Sequence, residues 1–215
     1  MFDFVSTIAA ALIGSIIGSV GAVLTDHWLT GKSEKSHRRE ILVQRYLFQL
    51  QDALELLYYR LHNLAFRVGQ DAMNDEYFEE STLYAFGRVL AIERIFAFEA
   101  VYPQLDPIYS GLGKFLKEHR IERQLLSPYF YQYDRVSLAE AAIEHEGDSF
   151  RPSTYLEFRW RYEAENSPEK QWLAPASNAI QTLPTFEMNV LLATIKTAAK
   201  GIAEKTGIDS SIVDK

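Results

Sequence analysis

The sequence predicts an all-α protein, with one N-terminal transmembrane helix followed by a cytoplasmic multi-helix bundle. Three observations carry that expectation. Residues Phe4 to Leu24 form a 21-residue run without a charge. From Val43 to Val68 leucine and valine recur at spacings of 4, 3, 4, 3, 4, 3 and 4. No stretch alternates apolar and polar residues between turn signals, as a sheet would require. The 215 residues contain no cysteine, which excludes a disulfide scaffold, a thiolate zinc site and a cysteine nucleophile. A hydrophobic share of 47% excludes wholesale disorder, and a net charge of −7 argues against a dedicated nucleic-acid binder.

At ~1.5 Å per residue the first run is about 31 Å long, the thickness of a hydrocarbon core. A helix satisfies its own backbone groups, as lipid demands of any spanning segment. Trp28 follows at the depth where indole rings favour the interface. A cleaved signal would want a positive start, whereas Asp3 stands there and Ala9-Ala-Ala11 lies inside the run. An interfacial helix would need a charged face. A buried helix of a water-soluble fold is the remaining competitor, because Ser6, Thr7, Ser15 and Ser19 temper the hydrophobicity. Lys32, Lys35, Arg38, Arg39 and Arg45 all follow the run and no Lys or Arg precedes it. The positive-inside rule then places the large C-terminal part in the cytoplasm, beneath the inner (plasma) membrane.

Within the run Ala10, Gly14, Gly18 and Ala22 repeat every fourth residue, and Gly14 with Gly18 forms a GxxxG unit. Such small residues let helices approach closely, so the stripe predicts helix–helix contact and a homo-oligomer. Residues 1–24 are thus an anchor, 25–45 a basic linker and 46–215 the bundle. The linker holds five basic groups against three acids, the bundle 17 against 25. Lys32, Lys35, Arg38 and Arg39 would lie against anionic head groups, at ~1 kcal/mol each near the surface. Gly31-Lys-Ser33 is no phosphate loop, since Asp26 occupies the position of its first glycine.

The spacing from Val43 describes a heptad seam through Leu47, Leu50, Leu54, Leu57, Leu61 and Leu64. Tyr46, Ala53 and Tyr58 widen it to the face of a bundle helix, with Gly69 as a stop. A second helix opens at Asn74-Asp-Glu76 and runs to about Val101, ahead of Pro103. It is apolar nearly all round, which predicts a central position. Its charges Arg88, Glu93, Arg94 and Glu99 must therefore be paired, with one another or with Arg60, His62 or Arg67, unless they line a functional pocket. A third helix is expected over Asp106–Leu126, then an aromatic packed loop, Tyr129 to Tyr133. Capping boxes at Ser137 and Thr154 predict helices to Gly147 and to about Asn166. Pro168 opens a helix interrupted at Pro175, and Pro184 opens the last, ended by Gly207 before a fraying tail.

The search for chemistry assigns no catalytic, cofactor or metal residue. Glu34-Lys-Ser-His37 is the single Glu-x-x-His unit, whereas a di-iron bundle needs two. Glu118, His119 and Glu122, and likewise Glu144, His145 and Glu146, read as solvated faces, because adjacent residues point apart on a helix. The expected role is non-enzymatic: a membrane-tethered, self-associating interaction or scaffold protein, with the lipid bilayer as partner and no nucleic acid. Two alternatives stand beside it. One is a toxin- or defence-like effector whose anchors oligomerise and disrupt the bilayer. The other is a lipid- or nucleotide-acting enzyme with a charged pocket on the 82–101 helix.

Overall fold

The computed structural model describes His37 and residues 41–66, 76–125, 129–147 and 149–213. The run 4–24 with Ala10, Gly14, Gly18 and Ala22 lies outside the described residues. So do Lys32, Lys35, Arg38, Arg39, Arg67 and Gly69. The chain divides between Ile41 and Leu42, and the unit described below is Leu42–Lys215. Among the described residues no helix is long and apolar enough to cross a membrane.

A π-helical segment, Leu42–Leu47, leads into α1, Phe48–Ala65. The heptad seam turns inward: Leu47, Leu50, Leu54, Leu57 and Leu61 are buried, with Ala53 beside them. Helix α2, Glu76–Phe98, is the axis of the molecule. Leu83, Phe86, Val89, Leu90, Ile92, Ile95 and Phe96 are buried on every side of it. Around α2 stand α1, the short helices α3 (Val101–Leu105) and α5 (Ile121–Gln124), then α6 (Gln132–Ala141), α7 (Tyr155–Glu163) and α8 (Pro168–Gln181). Gly87 lets α6 approach closely, since a Cβ there would sit 2.8 Å from the Leu138 carbonyl oxygen of α6. Helix α9, Thr185–Thr206, packs on α1 and on α4, Leu112–Glu118.

Residues 99–126 hold three short helices, whereas the sequence predicts one long helix over 106–126. The chain leaves α2 through Ala100, whose φ of 51° is left-handed. Gln104 Nε2 holds this turn by donating to the carbonyls of Glu99 and Ala100, each at 3.1 Å. Within 106–126 the two short helices α4 and α5 replace one, and Gly113 packs against Tyr102, where a Cβ would lie 1.8 Å from the carbonyl oxygen. Pro103 falls in the first turn of α3, where its missing N–H is no loss.

Residues 132–152 also depart from expectation. Helix α6 begins at Gln132, with the Asp134 carboxylate accepting from Tyr131 N–H at 3.1 Å, and ends at Ala141. The residues expected to continue it form a hairpin: β1, Ile143–Glu146, pairs antiparallel with β2, Ser149–Pro152. Its four-residue strands are too short for alternation to register as a pattern. Of the aromatic loop only Phe130 is fully buried, whereas Tyr131 and Tyr133 are exposed.

The next two helix starts follow the sequence closely. Thr154 Oγ1 accepts from Glu157 N–H at 3.3 Å, and Glu157 accepts from Thr154 N–H at 2.8 Å, a closed capping box. Ser167 Oγ accepts from Lys170 N–H at 3.1 Å ahead of Pro168. Helix α8 then runs through Pro175 without a break, because that residue and Gln171 one turn earlier are on the exposed side. Gly207 ends α9 with φ at 77°. The tail does not fray at Ile208. Ile208 and Ile212 are buried, Ser211 N–H donates to Glu55 at 3.0 Å, and Tyr59 donates to Ser211 Oγ at 3.1 Å.

Candidate functional site

The four charges predicted to matter on α2 do not pair with one another. Arg88 reaches Asp52 on α1 at 2.7 Å and Arg94 reaches Glu140 on α6 at 2.8 Å. Glu99 accepts from the Tyr46 hydroxyl and from Phe150 N–H at 3.2 Å, tying α2 to the hairpin. Burial, then that hydrogen bond, pushes Tyr46 up to about 12. Of the partners proposed from the sequence, Arg60 and His62 make their contacts elsewhere and Arg67 lies outside the described residues. Arg60 instead lies over the Phe78 ring, and His62 stacks near Phe66. Helix register explains this, since neighbours are set by which element faces each residue of α2.

Glu93 is the most deeply placed of the four, 4% exposed. Its carboxylate accepts from the backbone N–H groups of Ile121 at 2.6 Å and Glu122 at 3.0 Å. Arg120 Nε lies 3.9 Å away and its guanidinium also pairs with Glu122. Burial raises Glu93 to about 7, although the two backbone donors and Arg120 pull the other way. Tyr102 beside it is also raised, by burial first and by Glu93 second. Two further acids of α2 escaped the sequence reading. Glu79 accepts from Ser177 Oγ at 2.5 Å and from the Tyr162 hydroxyl at 3.3 Å. Glu80 is fully buried, with Arg159 Nε at 3.9 Å. In sequence both look like ordinary acids near a helix start; the packing of α7 and α8 half-buries Glu79 and buries Glu80.

Among the described residues Arg88, Glu93, Arg94 and Glu99 thus each hold a partner on another element. The acid–histidine triplets are likewise taken apart. His119 stacks on Phe115 with its Nδ1 2.9 Å from the Phe115 carbonyl, and Glu122 turns to Arg120. Glu144 pairs with Arg161, while His145 packs on Phe150 across the hairpin. Among the described residues no group of three or more His, Asp and Glu is placed to hold a metal ion.

An open cleft of about 280 Å³ lies between α6, β1, α7 and α8. Ser137, Glu140, Arg161, Glu169, Trp172 and Leu173 are among its walls. Arg161 is fixed by the Glu144 carboxylate and by the Ala141 carbonyl at 2.6 Å. Burial lowers the Arg161 guanidinium and nearby Glu169 opposes that shift. Trp172 is 63% exposed at the rim, and on α7 Leu156 and Trp160 are 73% and 82% exposed. Leu156 and Trp160, one turn apart, share a face turned away from the buried Phe158 and Tyr162. A sequence signal for this existed: two apolar residues at i, i+4 on the wrong side of a short helix.

Fold and site together define a helical bundle with one small hairpin and an open, acid-walled cleft bordered by exposed tryptophan. No protein-family model matches the sequence, and comparison with curated proteins and with solved structures finds no match.

Proposed function

We propose that this protein is a membrane-tethered helical interaction module, a non-enzymatic scaffold that self-associates through its N-terminal segment. The observation that carries the reading is the α7–α8 face, where Leu156, Trp160 and Trp172 stand in water beside a cleft. Large exposed side chains of this kind act as anchors in protein interfaces, where tryptophan dominates binding energy. The tether rests on the uncharged run 4–24 and the basic residues Lys32, Lys35, Arg38 and Arg39 behind it. Tethering raises the effective concentration of the bundle for its partners, and the cytoplasm is the side that charge asymmetry favours.

The test has two arms. The intact chain stays with membranes through alkaline carbonate extraction, and a protease added outside sealed cells leaves the bundle uncut. Gly14→Ile with Gly18→Ile removes crosslinked oligomers from membranes while the chain remains inserted. Recovery of the uncut chain in the wash would end the tether reading, and unchanged oligomers would end the helix-contact reading. The same glycine stripe, Ala10 to Ala22, supports a second reading, an effector whose assembled anchors breach the bilayer. Dye release from cells on expression, abolished by the glycine substitutions, distinguishes it from a scaffold.

A further inference from the structure

Charge decides what can cover the α7–α8 face. From Glu140 to Glu169 the chain carries eight carboxylates against three arginines. Each arginine already holds a carboxylate: Arg151 binds Glu157, Arg159 binds Glu163 and Arg161 binds Glu144. What remains at and around the cleft is negative: Glu169 stands in its wall with Glu146 and Glu165 nearby in sequence, while Arg94 holds Glu140 and Lys170 lies over the Tyr162 ring. A phosphate or carboxylate ligand would meet a wall whose guanidinium is engaged twice. At about 280 Å³ the cleft lies at the small end of ligand pockets, roughly 300 to 1,000 Å³, and has room for a long side chain.

We infer that this face receives a basic segment of a protein partner: a lysine or arginine enters the cleft against Trp172 and Glu169, while apolar neighbours cover Leu156 and Trp160. The inference rests on the interaction reading above and names the partner's chemistry. An exposed indole attracts a cation over its ring, and adjacent carboxylates add Coulombic attraction that steers encounter. Trp160 links the two halves of the surface, one turn from Leu156 and next in sequence to Arg161 of the cleft wall. The competing occupant for exposed tryptophan is a lipid surface. The carboxylate excess disfavours it, because cytoplasmic leaflets are anionic and like charges repel.

The test uses the full chain in phosphatidylcholine nanodiscs, carrying Trp28→Phe so that only Trp160 and Trp172 fluoresce. The probes are a short fluorescein-labelled lysine–leucine peptide and its glutamate–leucine counterpart, read by anisotropy against empty discs. The lysine peptide binds, higher salt weakens it, and Trp172→Ala or Glu169→Gln alone weakens it about tenfold or more. Both residues are outside the buried core, and unchanged circular dichroism verifies that each variant is folded. Equal binding of the glutamate peptide overturns the inference, as does binding that ignores both substitutions. Shielding of Trp160 and Trp172 from acrylamide by phosphatidylglycerol discs, without peptide binding, overturns it in favour of lipid. A chain that survives carbonate extraction yet ignores the lysine peptide refutes this inference while leaving the tether intact.

Discussion

Glu93 shows how one residue can make stability depend on pH. It folds into a site where burial outweighs two backbone donors and Arg120, so its carboxyl holds a proton up to about 7. In the unfolded chain the same group ionises near the ordinary ~4.3. The native state therefore binds more protons between those values, and stability falls as pH rises through that window. The facing groups are Arg120, Glu122 and Tyr102, none of which turns that sign around. For Glu93→Gln, the stability advantage of the wild type over the variant shrinks by on the order of 3 kcal/mol from pH ~4.5 to above ~7. Thermal midpoints of the detergent-solubilised full chain, followed by near-UV circular dichroism at several pH values, check this. A constant difference across the range refutes it. The sequence marked Glu93 as a charge on an apolar helix needing a partner; it could not show that the partner is the backbone of α5.

Helices fared according to whether their signals are local. The Thr154 capping box, Pro168 and Gly207 are read within four residues, and α7, α8 and α9 start or stop where they say. The Thr154 cap is a measurable part of that. Thr154→Ala leaves the first turn of α7 without its side-chain acceptor and costs ~1 kcal/mol, read as a lowered thermal midpoint. Arg151 strengthens the same corner by binding Glu157 twice, at 2.9 and 2.7 Å. That pairing, with Thr154, holds the Glu157 carboxyl down at about 2. The elements misjudged from sequence were those fixed by distant contacts. The α3–α5 series bends where Gly113 meets Tyr102, and the hairpin leans on Glu99, fifty-one residues before the Phe150 N–H it accepts from. Ser137 looked like a cap, yet the helix was already running when it was reached.

At the scale of the molecule, the tail closes the bundle. Ile208 and Ile212 are buried, while Ser211 joins the Glu55 carboxylate and the Tyr59 hydroxyl on α1. A chain ending at Gly207 therefore loses two core side chains and leaves part of the α1–α9 groove wet. Each lost isoleucine contributes roughly 1.5–3 kcal/mol, so the truncation lowers the thermal midpoint by well over the effect of the Thr154 substitution. An unchanged midpoint would show that the tail is only laid over the surface. The cleft face belongs to this scale as well. Its walls come from α6, β1, α7 and α8, and no one element carries enough of it to be read alone.

Helical class, the seam of α1, the central burial of α2, the starts of the last three helices and the Gly207 stop were all written in the order of residues. Their causes act within a few positions: apolar period, capping side chains, proline and glycine. Long-range packing alone decided which charges meet, that Glu80 becomes interior, and that residues 143–152 pair as strands. It also decided that Trp160 and Trp172 stay in water beside a negative cleft. Burial and Coulombic energies depend on distances between elements, and those distances exist only after the chain has folded.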